Sequence, residues 1–275
     1  MECIATLKEY TTSAWCLVYA NDLLYSGGFD GTIKVWKDFK GVGILKGHTG
    51  GVWCLVYADG LLYSGGSDNT IRVWKDFECI ATLEGHDSCV YSLEYADGLL
   101  YSGSSDKTIR VWKDCKCISV LKGHTDGVLC LTYNDGLLYS SGYGKTINVW
   151  KDLKCIATLE GHTSSIYSLE YAEGLLYSGC YNGNIKVWKD LECITTLEGH
   201  DSCVHCIIYA DGILYSCNNK RTIKVWKDFE CIDTLKGHTN RVFSLAYNNG
   251  LLYSSSNDKT IKVWKEIGAF TKRAI

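Results

Sequence analysis

Residues 52–86 read VWCLVYADGLLYSGGSDNTIRVWKDFECIATLEGH, and this stretch decides the fold. Val52 to Tyr57 is apolar and β-prone. Asp59-Gly60 follows, a tight-hairpin signal, because Gly tolerates positive φ. Leu61 to Gly65 makes a second strand. Asp68-Asn69 turns the chain into a third, Thr70 to Lys75, where Ile71 and Val73 alternate with Arg72 and Trp74. After Asp76, Cys79 to Leu83 reads as a fourth strand. The pattern is runs and period 2, not the 3.6-residue period of a helical repeat.

The unit recurs. Val-Trp pairs place Trp at 36, 74, 112, 150, 188, 226 and 264, every spacing being 38 residues. The hairpin signal recurs as Asp97-Gly98, Asp135-Gly136, Glu173-Gly174, Asp211-Gly212 and Asn249-Gly250. Seven such units account for 266 of the 275 residues, so no second domain or linker fits and every loop is short. A four-stranded unit has two faces and cannot bury both alone; radial stacking buries them and predicts an all-β, seven-bladed propeller with four antiparallel strands per blade. The first residues, ECIATL at 2–7, match the fourth strand at 78–83 rather than the first.

A Gly-His pair followed at fixed distances by Ser, Asp and Trp resembles the WD40 repeat, over about residues 2–265. Lys follows each Trp where the family name would have Asp, and Asp comes one place later in six repeats. The repeat style also resembles the WD40 domains of amoebal myosin heavy chain kinases and of TRAF-class RING ubiquitin ligases. The resemblance implies that the N-terminal strand closes the ring by completing the last blade, which gives a propeller over 1–267 and a C-terminal tail over 268–275. A chain that begins on a fourth strand is read either as a domain cut from a longer protein or as a complete or designed small one.

Composition narrows the function. The formal net charge is −3, which argues against a nucleic-acid binder, since that needs a basic surface. No apolar run approaches the roughly 18 residues of a membrane span. The start has no signal-peptide pattern, and there is no N-glycosylation sequon. The 15 cysteines recur at repeat positions and read as packing residues, not as a disulfide framework. These features predict an intracellular, cytoplasmic setting.

Ser, His and Asp recur together in a way that mimics catalytic triads: His48, Ser64 and Asp68 with Trp74; His86, Ser102 and Asp106 with Trp112; His238, Ser254 and Asp258 with Trp264. A nucleophile needs one accessible pocket and an oxyanion hole, not three copies in a ring. The resemblance implies hydrogen-bonded structural tetrads instead. Other repeats depart from the pattern: Tyr10 stands for His, and Gly144, Asn182 and Lys220 stand for Asp. Asn182 is expected still to accept a hydrogen bond, while His124 and His200 lack a carboxylate. Cys203, His205 and Cys206 hint at a metal, but each occupies its ordinary repeat position. No enzyme activity, cofactor or metal is expected.

By the same resemblance, side chains at the start of strand one and just before the tetrad Asp line the top face around the channel. These are Trp15, Trp53, Tyr91, Leu129, Tyr167, His205 and Phe243, with Phe29, Tyr143 and Tyr181 from the second set and Arg241 beside them. Arg241, Lys220 and Arg221 form one basic spot. Aromatics and Arg dominate binding hot spots. The leading expectation is a monomeric, non-enzymatic adaptor or substrate-recruiting scaffold that binds a protein or peptide partner there, with no nucleic acid and no membrane. The alternative is a purely structural or designed repeat scaffold without a ligand.

Overall fold

The structure is a computed structural model and describes residues 1–8 and 12–266. Tyr10, the end of the proposed propeller at 267 and the tail 268–275 lie outside the described residues. The described chain forms seven four-stranded antiparallel sheets, with strand orders that run from the channel outward. In the second blade the strands are Val52–Ala58, Leu61–Gly66, Ile71–Lys75 and Glu78–Leu83. The hairpin turn is the expected one: Asp59 has φ 50° and Gly60 φ 78°, the two left-handed residues of a type I′ turn, whose twist matches the strands.

The last blade is completed from the other end of the chain. Glu2–Leu7 pairs antiparallel with Ile261–Lys265, in a register that sets Leu7 against Ile261 and Glu2 against Lys265. The Met1 amino group reaches Asp233 of the preceding blade at 3.2 Å. Closure removes the open sheet edge that strand Ile261–Lys265 would otherwise present.

The core lies between blades rather than inside them. Ile71, Val73, Leu83 and Tyr63 of the second blade pack with Val90, Leu93, Leu100 and Trp112 of the third. Close approach fixes some small residues. A Cβ on Gly65 would sit 2.7 Å from Val90 Cγ1, so the next blade can nest there only because a hydrogen replaces a side chain.

Two irregularities recur in each blade and position side chains. The innermost strand carries a bulge at its top: Val52 pairs with Gly66 and Cys54 with Gly65, which leaves Trp53 unpaired. An extra residue bends the strand and re-aims its side chain. On the outer strand, Trp74 pairs with Cys79 and Val73 with Ala81, so Ile80 is the unpaired, exposed residue. That bulge blunts the outer edge against pairing with other sheets.

Candidate functional site

Three blades carry a complete hydrogen-bonded tetrad. His48 Nδ1 lies 2.9 Å from Asp68, His48 Nε2 lies 2.7 Å from Ser64 Oγ, and Trp74 Nε1 donates to Ser64 Oγ at 2.8 Å. His86, Asp106, Ser102 and Trp112 repeat this, as do His238, Asp258, Ser254 and Trp264. With Nδ1–H donating to the carboxylate, the Nε2 lone pair accepts the serine hydroxyl proton, and every polar atom is satisfied. Asp68 also accepts from the backbone N–H groups of Thr49 and Thr70. These bonds outweigh the desolvation that would raise its carboxyl and hold it well below the usual range. The order Asp–His–Ser is that of a triad, but the serines are 0% exposed and Trp already occupies a lone pair of each. No substrate carbonyl can reach them.

The degenerate blades differ in the expected direction. His124, His162 and His200 keep the bond to their serines at 2.6 Å. Without a carboxylate, burial lowers His124 and His162 to about 4 and His200 to about 3. His200 Nδ1 is buried without a partner. Asn182 does accept, but its Oδ1 receives Asn184 N–H and Cys180 Sγ–H and its amide donates to Thr163; among the described residues no bond joins it to His162. The basic spot is weaker than its composition suggests, because Lys220 Nζ pairs with Asp201 at 2.9 Å. His205 Nε2 is 2.6 Å from Asn219 Oδ1, and Cys203 Sγ lies 3.9 Å from the other ring nitrogen. Among the described residues no three His, Cys, Asp or Glu side chains converge as metal ligands.

On the top face the strand-one residues are the bulge residues themselves: Trp15, Trp53, Tyr91, Leu129, Tyr167, His205 and Phe243 are the ones left unpaired. Released from the ladder, they meet one another around the channel. Trp15 stacks on Trp53 with centroids 3.8 Å apart, and Trp53 meets Tyr91 edge-on at 5.1 Å. Leu129 cannot continue an aromatic series, and Tyr143 bridges its blade instead, 6.4 Å from Tyr91 and 6.3 Å from Tyr167. His205 follows Tyr167 at 5.7 Å, Phe243 follows His205 at 5.4 Å, and Phe243 returns to Trp15 at 6.5 Å. The contacts close into a ring. Phe29 extends it beside Trp15 and Tyr181 beside Tyr167. Trp53 Nε1 is held by Ser67 Oγ at 2.7 Å. Arg241 is exposed at the rim.

Below the ring lie two residues that a motif search passes over. Glu94 and Glu170 are the only acidic or basic side chains on the seven inner strands apart from His205. They sit at one register, in the third and fifth blades. Glu170 Oε1 accepts the Tyr209 N–H at 3.1 Å, and Glu94 accepts the Tyr133 N–H. Burial raises both, Glu94 to about 8 with help from the charge of Glu170, and Glu170 to about 7. Counting charges by repeat position would have found them.

The repeat profile of the family described as WD domain, G-beta repeat, matches seven segments: residues 1–37, 39–75, 77–113, 115–151, 153–189, 191–227 and 229–265. The chain belongs to the WD40 family. Each matched WD40 segment starts on an outer strand, the phase that ring closure requires. No curated protein matches the chain. Among solved structures, 1515 chains match. One is similar at 27% identity with a TM-score of 0.88, covering 95% of this chain and 95% of its own: the WD40 β-propeller domain of Doa1. WD40 propellers are as a rule non-catalytic platforms that bind other proteins.

Proposed function

We propose that this WD40 propeller is a non-enzymatic interaction module that binds a peptide or protein partner on its aromatic top face. It acts as an adaptor or recruiting scaffold inside the cell, as a monomeric propeller. The observation that carries this reading is the closed ring of aromatic side chains, with Phe29 and Tyr181 59% and 58% exposed at its margin. Apolar surface gathered at one place on a soluble protein marks an interface, and Trp and Tyr are the residues from which hot spots are built. The net charge of −3 and the absence of a basic track favour a protein ligand over nucleic acid.

The test selects peptides from a display library on the wild-type chain and measures isotherms and thermal melts for its variants. Trp53→Ala is expected to weaken a selected peptide by about 2 kcal/mol, roughly thirtyfold, with the fold retained. Lys113→Ala is the control and should change neither property. A Trp53→Ala chain that melts early, with binding reduced only in proportion to unfolded protein, would show Trp53 to be a packing residue.

A further inference from the structure

The opposite face, where the two-residue hairpin turns lie, carries a feature that folding does not explain. The same left-handed turn recurs between strands one and two of all seven blades and between strands three and four of the first six, with two different residue choices. Between strands one and two the second turn residue is Gly in all blades but the first, as at Gly60 with φ 78° and Gly98 with φ 73°. Between strands three and four it is a large apolar residue in five of the six turns, at nearly the same angle: Phe39 at 65°, Phe77 at 70°, Leu153 at 62°, Leu191 at 67° and Phe229 at 66°, with Cys115 at 61° in the third blade. A bulky L-residue is strained there and Gly is not. These side chains are also exposed, Phe77 by 48% and Phe229 by 43%. Strained backbone that presents apolar surface to water gathers at ligand clamps.

Each of these side chains walls a recess between neighbouring blades. The recess at Phe77 is lined by Tyr25, Tyr57, Leu62 and Trp74 together with Lys75 and Asp76, and has a volume of 300 Å³. Equivalent recesses at Phe39, Leu153, Leu191 and Phe229 measure 180 to 360 Å³. The turns themselves are acidic, although a Lys directly precedes the Asp of each turn between strands three and four, as at Lys37, Lys75 and Lys227. Of the thirteen two-residue turns on this face, twelve carry an acidic residue and none a basic one. The recesses at Phe39, Leu191 and Phe229 are lined by carboxylates with no Lys or Arg; Lys151 and Lys75 line the other two.

We infer that the turn-side face is a second docking surface, whose inter-blade recesses take apolar side chains flanked by Lys or Arg from a peptide segment of a partner protein. The apolar side chain fills the recess under Phe229 or its equivalents at Phe39 and Leu191, and the flanking cations meet the turn carboxylates. The site is separate from the top-face ring.

The probe is a fluorescein-labelled peptide of alternating lysine and leucine, followed by anisotropy on the whole chain. It is expected to bind in a salt-sensitive way, at least tenfold tighter than a glutamate–leucine or a lysine–serine peptide. Combining Phe39→Gly, Leu191→Gly and Phe229→Gly should weaken it at least tenfold while the melting temperature holds or rises, because Gly relieves the turn. Phe229→Asn, which tolerates the same φ and removes the apolar surface, should act in the same direction. Trp53→Ala should leave this binding unchanged. The inference is overturned if the lysine–leucine peptide binds no tighter than the controls, or if the glycine and asparagine variants bind it as well as wild type. It is equally overturned if those variants lose melting temperature and binding falls only with the folded fraction.

Discussion

Trp15 and Trp53 stack face to face across the boundary between the first two blades, with ring centroids 3.8 Å apart and planes 23° from parallel. Each is the unpaired residue of a bulge, and each comes from a different sheet. The pair therefore couples two blades through side chains that the ladders do not hold. An aromatic pair is worth about 0.5–1.5 kcal/mol beyond its burial. A double-mutant cycle with Trp15→Ala and Trp53→Ala should return a coupling in that range from thermal or urea unfolding. The far-ultraviolet exciton signal of two stacked indoles should vanish in either single variant. A coupling near zero with no exciton signal in the wild-type chain would mean that the two indoles are not stacked in solution.

The tetrads predict a graded response. Asp106→Ala removes the acceptor for His86 and for the Asp87 N–H in a mostly buried network, and the expected loss is about 1–3 kcal/mol. The reverse change, Gly144→Asp, should recover a fraction of that, because a Cβ at Gly144 meets nothing within 4 Å and His124 has no carboxylate opposite it. Urea unfolding of both variants checks this. A neutral or destabilising Gly144→Asp would show that this blade satisfies His124 by another route.

The fold was legible because three signals agreed: a 38-residue period, Asp-Gly pairs at hairpin positions, and a starting phase that only ring closure reconciles. The top-face set was legible as positions but not as geometry. Nothing in VWCLVYA announces that Trp53 is the bulged residue, since pairing register depends on the partner strand. Asn182 was readable as an acceptor, yet which donor it meets is a matter of ångströms, and Asn184 and Cys180 are nearer in sequence than His162. The strained Phe77 turn was invisible because DF is not a turn dipeptide by composition. Glu94 and Glu170 are hidden because each is a single charge in a strand that is otherwise apolar and β-prone.

Those two glutamates predict a pH dependence. Their ordinary value of 4.5 rises to about 8 and about 7 in the folded protein. Between those limits the native state holds protons that the unfolded state has lost, so their contribution is full below pH 4.5 and is lost as pH rises toward 8. Asp68 and Asp258 have the opposite sign: their carboxyls are depressed, so their contribution is full above the ordinary carboxylate value and is lost in acid. The melting temperature should therefore fall on both sides of weakly acidic pH. Glu94→Gln should flatten the alkaline limb and leave the acid limb alone. An unchanged slope between pH 5 and 8 in that variant would remove Glu94 as its cause.

Ring closure predicts a dependence on the first residues that their short length belies. Glu2–Leu7 is the outer strand of the seventh blade, hydrogen-bonded along Ile261–Lys265, and its Leu7 is buried in the cluster that holds Leu17, Leu24 and Trp36 of the first blade. Thr6 receives a bond from Lys262 Nζ at 3.2 Å. Deleting residues 1–8 therefore removes a strand, uncovers a sheet edge and opens the junction between the last and first blades. The expected outcome is a large drop in melting temperature with aggregation that rises with concentration, the behaviour of an unprotected edge. A synthetic peptide of residues 1–8 added in trans should restore part of the lost stability, in proportion to its concentration, since it binds only the folded ring. A scrambled peptide of the same composition should not. Restoration by the native peptide alone would place the stability in the strand's register. A truncated chain that melts like the full one would mean that the last blade is stable with three strands and that closure contributes nothing.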